Sequence, residues 1–342
     1  MKHLITGGSG FLGNLVALEL FRRGESVRIL DIWEDPNRPR DIEYIQCDIR
    51  DREGVRRALE GVDIVHHNVA LVPLTKSGKK FWEVNVDGTR IAAEEAVRAG
   101  VRSFIHMSSS AIFGVPKTVP IMADTPPTPA EIYGRGKWAG EQAVREVCGK
   151  GKLDLVVIRP RTVLGEGRLG IFQILFNWIR ENRAIYIIGS GNNRLQFIHA
   201  RDLMDAYMLA LDVGKPGVYN VGTDQFGTLR NSLETLIQHA GSTSKVKSLP
   251  ERLTVSTLQF LDWLHLSPLA PYHYLTYHKP YYFDVKPLLD LGWKPAYSND
   301  RMLAESYDWF CKNGQSLARD DGASPHRKAV AEGILRIVRK FS

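Results

Sequence analysis

The sequence predicts an α/β protein: a doubly wound parallel sheet carrying a smaller mixed α/β domain. Three observations lead there. A glycine-rich turn at Leu4–Gly13 joins a first strand pattern to a first helix pattern. Strand and helix patterns then alternate through the first half of the chain. The candidate polar residues of that half fall at the carboxyl ends of the strand patterns, where open parallel sheets bind ligands.

His3 to Ile5 reads as the end of a short buried strand. From Phe11 the apolar spacing (Phe11, Leu12, Leu15, Val16, Leu18, Leu20, Phe21) is helical, and Gly24 is a natural stop. Between them stand Gly7, Gly10 and Gly13. Glycine permits a tight turn and lets a pyrophosphate approach the amides at the helix N-terminus, where the dipole favours anions. A second strand, Val27 to Ile32, carries Asp31 about 20 residues beyond the loop, where a carboxylate accepts hydrogen bonds from an adenosine ribose. Strand, turn, helix, strand and acid together describe a nicotinamide-dinucleotide site.

Tyr44 to Cys47 is a strand ending in Asp48, and Arg52 to Leu59 a short helix. Val62 to His66 is a strand leading into Asn68, Val69, Ala70 and Leu71. Phe81 to Ala99 reads as one long helix closed by Gly100, and Ser103 to Met107 as a strand ending in Ser108, Ser109 and Ser110. A helix begins near Tyr133, and Leu153 to Ile158 is an apolar strand. In the less regular second half, Ile171–Glu181, Ala200–Leu211 and Leu229–Ala240 read as helices, Ala184–Ile188 and Val218–Val221 as strands. Leu253 to Leu266 is unusually apolar, and Tyr272 to Phe283 is rich in aromatic residues. The expected organisation is a dinucleotide domain over 1–167, to which the strand near 218–221 returns, a substrate domain over 168–312, and a tail over 313–342.

A chain of 342 residues, 44% hydrophobic and 24% charged, has room for a real core. The net charge of +7 is partly local: Arg327 to Ser342 holds five Lys or Arg and one Glu. The bulk charge therefore does not argue for nucleic acid. The three cysteines (Cys47, Cys148, Cys311) lack metal-ligand spacing and read as reduced thiols of a cytoplasmic chain. Neither a signal peptide nor an apolar run of the roughly 18 residues needed to span a membrane is expected. His66, His67 and His199 have no acid or cysteine at ligand spacing, so they read as structural and no metal is expected.

Tyr133 and Lys137 fall one helical turn apart on one face. An ammonium beside a phenol favours phenolate and suits it to acid/base work near neutral pH. The serines end the preceding strand, where a hydroxyl can meet a substrate oxygen; serines also often merely cap turns.

On these residues the chain resembles an extended short-chain dehydrogenase/reductase of the NAD-dependent epimerase/dehydratase family. The resemblance runs in order through Thr6–Gly13, Asp31, Cys47-Asp48-Ile49, Asn85–Thr89, Ser108–Ser110, Tyr133 with Lys137, Arg159-Pro160, Phe197–Leu203, Tyr219–Gly222 and Leu291–Pro295. It implies a Rossmann domain, bound NAD and a small-molecule substrate. It also implies that Tyr133 is the acid/base, that Lys137 supports it and grips the nicotinamide ribose, and that a serine binds the reacting oxygen. Counting back from Phe113-Gly114 makes that serine Ser109, with Ser110 next. The cofactor residues so implied are Gly7, Gly10, Phe11, Leu12, Gly13, Asp31, Asp48, Ile49, Asn68, Val69, Ala70, Leu71, Asn85, Tyr133, Lys137, Pro160 and Val163. Asp31 favours NAD over NADP, because a carboxylate repels a 2′-phosphate.

Departures from the family narrow the substrate. Ser110-Ala111 fills the place of the Asp-Glu pair of the dehydratases, so loss of water is not expected. Leu195 stands where sugar-nucleotide members resemble one another in an arginine, and Tyr277–Asp284 replaces their arginine-bearing diphosphate stretch. Arginine forks suit diphosphates better than lysine, although Arg161, Arg168 or Arg194 are possible substitutes. The Leu-, Trp- and Tyr-rich segment Leu253–Tyr282 resembles the hydroxysteroid dehydrogenase and dihydroflavonol reductase branch. The expected activity is hydride transfer between NAD(H) and an apolar or alicyclic, sterol-like secondary alcohol. The alternatives are a nucleotide-sugar epimerase with tightly bound NAD and a non-catalytic dinucleotide sensor.

In the tail, Val330, Ile334, Ile337, Val338 and Phe341 share one helical face with the basic residues largely off it, a pattern for docking on a protein or lying on an anionic membrane. The resemblance implies a homodimer built through the Phe81–Ala99 and Tyr133–Val147 helices.

Overall fold

The computed structural model describes residues 1–71, 78–264, 267 and 269–317. The tail pattern at 325–341 and residues 265 and 266 of the apolar stretch lie outside the described residues. In chain order the elements are β1 (Lys2–Thr6), α1 (Phe11–Arg22), β2 (Ser26–Asp31), β3 (Glu43–Gln46), α2 (Arg52–Ala58) and β4 (Ile64–His67). Next come α3 (Lys79–Trp82), a π-helical turn (Glu83–Gly88), α4 (Thr89–Arg98), β5 (Ser103–Met107), a 3-10 turn (Ser110–Phe113), α5 (Ile132–Gly151) and β6 (Asp154–Pro160). Then follow β7 (Thr162–Leu164), α6 (Phe172–Arg180), β8 (Ile185–Ile188), β9 (Phe197–His199), α7 (Ala200–Val213), β10 (Gly217–Val221) and α8 (Leu229–His239). The described chain closes with β11 (Val246–Leu249), α9 (Glu251–Trp263), α10 (Pro271–Thr276), α11 (Lys286–Asp290) and α12 (Asn299–Leu317).

The chain divides into two compact units. The first comprises Met1–Ile112, Ile132–Pro160 and Met204–Asn220; the second comprises Phe113–Glu131, Arg161–Leu203 and the described residues from Val221 onward. The first unit is organised by a seven-stranded sheet in the order β10-β6-β5-β4-β1-β2-β3. Neighbouring strands from β3 through β6 pair in parallel. Order reverses between β1 and β4, the kind of switch point at which open sheets bind ligands. Leu4, Ile5, Leu30, Val65 and Phe104 are almost wholly buried, which is why these strands read as unbroken apolar runs.

The helix expected over Phe81–Ala99 is not uniform. Its first part is π-helical between Glu83 and Gly88, and regular α-helix resumes at Thr89. α5 packs closely against this stretch. A Cβ on Gly140 would lie 2.5 Å from the Asn85 carbonyl oxygen, and one on Gly136 would lie 2.5 Å from the Phe81 ring. The two glycines one turn apart let α5, and therefore Tyr133 and Lys137, lie tight against that stretch.

In the second unit β7 pairs in parallel with β9, and β8 with β11. The strands β7, β9 and β11 are three or four residues long and carry no sustained alternation, which is why periodicity misses them. The Asp202 carboxylate accepts the Ala296 and Tyr297 amides at 2.9 and 3.0 Å, and the Trp293 indole donates to the Asp202 carbonyl at 3.1 Å. Two motifs some ninety positions apart in sequence are thus one structural joint.

Candidate active site

The glycine turn closes on itself. The Gly7 amide donates to the Leu30 carbonyl at 2.8 Å, and the Gly10 amide to the Gly7 carbonyl at 3.1 Å. Gly7 holds φ +70°, and a Cβ there would lie 2.9 Å from the Val69 nitrogen. A Cβ on Gly13 would lie 2.1 Å from the Gly7 oxygen, so no side chain fits at either position. Gly10 caps α1 in an extended conformation with no side-chain cap, and Phe11 and Leu12 follow half-buried in the first turn. A helix N-terminus left without a side-chain acceptor is a site for an anion.

Beside the loop, Asp31 ends β2 and accepts the Ser9 amide at 3.1 Å and the Trp33 amide at 3.3 Å. Burial pushes its carboxyl above the usual aspartate range, against those amides. Asp48, just past β3, is gripped by the Arg50 guanidinium at 2.8 and 3.0 Å, while Ile49 turns into the core. Asn68, Val69, Ala70 and Leu71 leave β4 half-buried. The Asn85 side chain accepts the Leu71 amide at 2.8 Å and donates to the Leu71 carbonyl at 3.0 Å, so its amide holds this segment in place. Glycine cradle, acid and shaped segment all lie at the carboxyl ends of β1, β2 and β4, and they fit a dinucleotide.

Tyr133 and Lys137 occupy the first turns of α5. Tyr133 is half-buried; Lys137 is buried, and its Nζ donates to the Met107 carbonyl at the end of β5, 2.6 Å away. Desolvation pushes the ammonium down to about 8, with Glu141 pulling the other way. One further turn along, Glu141 is wholly buried. Its carboxylate accepts Ser108 Oγ at 2.6 Å, Arg159 at 2.6 and 3.1 Å, and Arg145 at 2.9 Å. Burial drives the Glu141 carboxyl upward, but Arg159, Ser108 and Arg145 outweigh it and hold it below the usual range. Ser108 is therefore turned inward. Ser109 is half-buried at the strand end, where its Oγ accepts the Ala111 amide at 3.2 Å, and Ser110 opens the 3-10 turn in a buried position.

Glu141 is the residue the sequence reading missed. Its position, one turn beyond Lys137 on the same face, was the available signal. The histidines are bonded into the interior. His67 meets Thr6 at 2.8 Å and Thr89 at 2.9 Å; His66 meets His3 at 2.9 Å and Tyr207 at 2.8 Å. His199 stacks on Tyr297 at 3.7 Å. Among the described residues no group of His, Cys, Asp and Glu is arranged to hold a metal ion.

Pro160 ends β6 in the first unit, whereas Val163 lies in β7 of the second. In that second unit Arg161 is fully buried. Its guanidinium lies 3.9 Å from the centre of the Tyr281 ring, and Nε donates to the Gln196 carbonyl at 3.0 Å. Arg194 lies against Phe226 and Tyr282, at 4.5 and 5.0 Å. A cavity of about 180 Å³ is lined mainly by apolar side chains, among them Phe172, Leu175, Ile187, Leu233 and Tyr277. Among the described residues no helix is long and apolar enough to cross a membrane.

The model of the NAD-dependent epimerase/dehydratase family matches residues 3–222. The chain is 43% identical over 340 residues to the uncharacterized protein y4nG of Sinorhizobium fredii, covering 98% of this chain and 85% of that one. It is 29% identical over 266 residues to the sterol demethylase protein B of Methylococcus capsulatus, covering 74% of this chain and 79% of the other. Its fold is similar to that of UDP-glucose 4-epimerase from Thermotoga maritima, with a TM-score of 0.75 at 22% identity, covering 92% of this chain and 99% of the other. The matched model and the 43% relative agree with the glycine cradle: this chain belongs to the NAD-dependent epimerase/dehydratase family.

Proposed function

We propose that the protein is an NAD-dependent oxidoreductase that passes a hydride between NAD(H) and an apolar or alicyclic secondary alcohol or its ketone. The observation that carries this reading is the buried Lys137 ammonium, pinned to the Met107 carbonyl one turn from Tyr133 and on the same unit as the glycine cradle. Bound NAD supplies the hydride acceptor or donor. Tyr133 takes the alcohol proton, or returns it to the ketone. Lys137 places a positive charge beside the phenol, which favours the phenolate, and reaches the nicotinamide ribose. Ser109, with Ser110 next to it, hydrogen-bonds the substrate oxygen. The first turn of α1 binds the pyrophosphate, Asp31 the adenosine ribose, and Asp48 and Ile49 the adenine. Asn68–Leu71, held by Asn85, line the cofactor cleft, and Pro160 belongs to the same unit.

For the substrate, two features support an apolar ring system over a nucleotide sugar. Arg161 and Arg194, two candidates for a diphosphate fork, are packed against aromatic rings. The cavity of the second unit is walled by Phe, Leu and Ile. The name of the Methylococcus relative points the same way. Ser110-Ala111 leaves no acid pair, which argues against dehydration under either reading. A nucleotide-sugar epimerase is the second reading, favoured by the likeness to UDP-glucose 4-epimerase.

The test is incubation with NAD⁺ and a panel of sterol, flavonoid and UDP-sugar candidates. Steady NADH formation with a lipid-like alcohol, abolished in Tyr133→Phe, is expected. Isomerisation of a UDP-sugar without net NADH would establish the second reading instead. Unchanged turnover in Tyr133→Phe would remove the catalytic role altogether.

A further inference from the structure

We propose that the outer face of α9 docks the protein on an anionic lipid surface. A helix of a folded domain ordinarily buries an apolar stripe. Along α9 no residue is buried. Its half-buried side carries Val255, Leu258 and Leu261. Its outer side carries the larger apolar groups: Leu253 is 68% exposed, Phe260 57%, Trp263 74% and the following Leu264 41%. Leu253, Thr257, Phe260 and Leu264 recur at helical spacing, so they share one face over three turns, with Ser256 and Trp263 beside them. None of these six residues is charged. The Thr257 hydroxyl donates back to the Leu253 carbonyl at 2.8 Å, so this polar group is satisfied within the helix.

The charges around this face point to the partner. Glu251 is paired with Lys279 at 2.6 Å. Asp262 is half-buried and hydrogen-bonded to Tyr274. Both acids of α9 are therefore neutralised or drawn inward. Apart from the paired Glu251, the exposed charges at its start are cations: Arg252 in the first turn, Lys245 just before β11, and Lys247 within β11, its ammonium 5.8 Å from the centre of the Tyr186 ring. An uncharged Leu, Phe and Trp face with cations near its start matches the interface of an anionic bilayer, where aromatic rings sit at headgroup depth and cations are drawn to the headgroups. The docking stands apart from the chemistry at Tyr133, and its failure would leave that chemistry untouched.

Flotation of the full-length protein with phosphatidylcholine vesicles, with and without phosphatidylglycerol, tests the proposal. Binding is expected to the anionic vesicles, and to weaken as salt is raised. Trp263→Ser with Phe260→Ser should lower vesicle binding at least about ten-fold with the thermal midpoint unchanged, since both side chains are exposed. Lys245→Glu with Lys247→Glu should remove the preference for phosphatidylglycerol. Absence of wild-type binding overturns the proposal, as does equal binding by the Trp263/Phe260 variant. A fall in molar mass of that variant by light scattering, which makes the face a protein interface, also overturns it.

Discussion

Lys137 Nζ lies 2.6 Å from the Met107 carbonyl oxygen, the last of β5, in a buried setting. The contact ties the start of α5 to the ligand-binding edge of the sheet. It also keeps a cation where desolvation disfavours one: Lys137 is pushed from 10.5 down to about 8.

Between about pH 8 and 10.5 the unfolded chain holds a proton on Lys137 that the folded chain has lost. Stability therefore rises with pH across that window. Lys137→Met should flatten the rise, as read from urea midpoints at stepped pH. The same variant should lower kcat by about 10²–10⁴-fold, the usual contribution of assisted proton transfer.

Glu141→Gln removes the carboxylate facing Arg159, Arg145 and Ser108, and leaves a buried guanidinium without its counter-charge. A loss of about 3–5 kcal/mol is expected in denaturant unfolding at neutral pH. Because the folded carboxyl titrates below 4.5, the contribution of Glu141 is complete above that pH and fades as pH falls through the folded value. The gap between variant and wild type should close in acid. A constant gap would mean that packing, not charge, is lost.

Asp31→Asn keeps the shape beside the glycine loop and removes the negative charge. Calorimetric titration should show NAD affinity lowered by about ten-fold, the weight of one charge-assisted hydrogen bond. Affinity for NADP should fall less or rise, because the repulsion of a 2′-phosphate is gone.

Neither ring nitrogen of His106 has a hydrogen-bond partner among the described residues, and the ring is buried against His67. Burial holds His3, His66, His67 and His106 below 6.5, His67 at about 3. The unfolded chain takes up these protons first, so stability should fall as pH drops below 6.5. His106→Leu removes one such group and should raise stability by about 1 kcal/mol at pH 5, with a shallower acid limb in thermal scans.

Much of the first unit was legible from local order. All seven strands of the sheet, the glycine turn, Asp31, and Tyr133 with Lys137 are read from spacing over a few residues. The long helix after Phe81 was only half legible: apolar periodicity does not distinguish a π-helical turn from an α-helical one, and close approach of the Gly136–Gly140 face coincides with it. The short strands β7, β9 and β11, and the helix α12, escaped for want of a sustained pattern.

The parallel sheet, the glycine turn after its first strand, and the placing of Tyr133 and Lys137 one turn apart on a helix follow from the sequence, because each depends on residues close together along the chain. Only tertiary structure decided that Ser108 faces Glu141, that Asn85 clamps Leu71, and that Arg161 lies on Tyr281. The same holds for α9, whose apolar residues stay exposed. Each of those outcomes turns on burial and on a partner distant in sequence, and neither quantity is carried by local spacing.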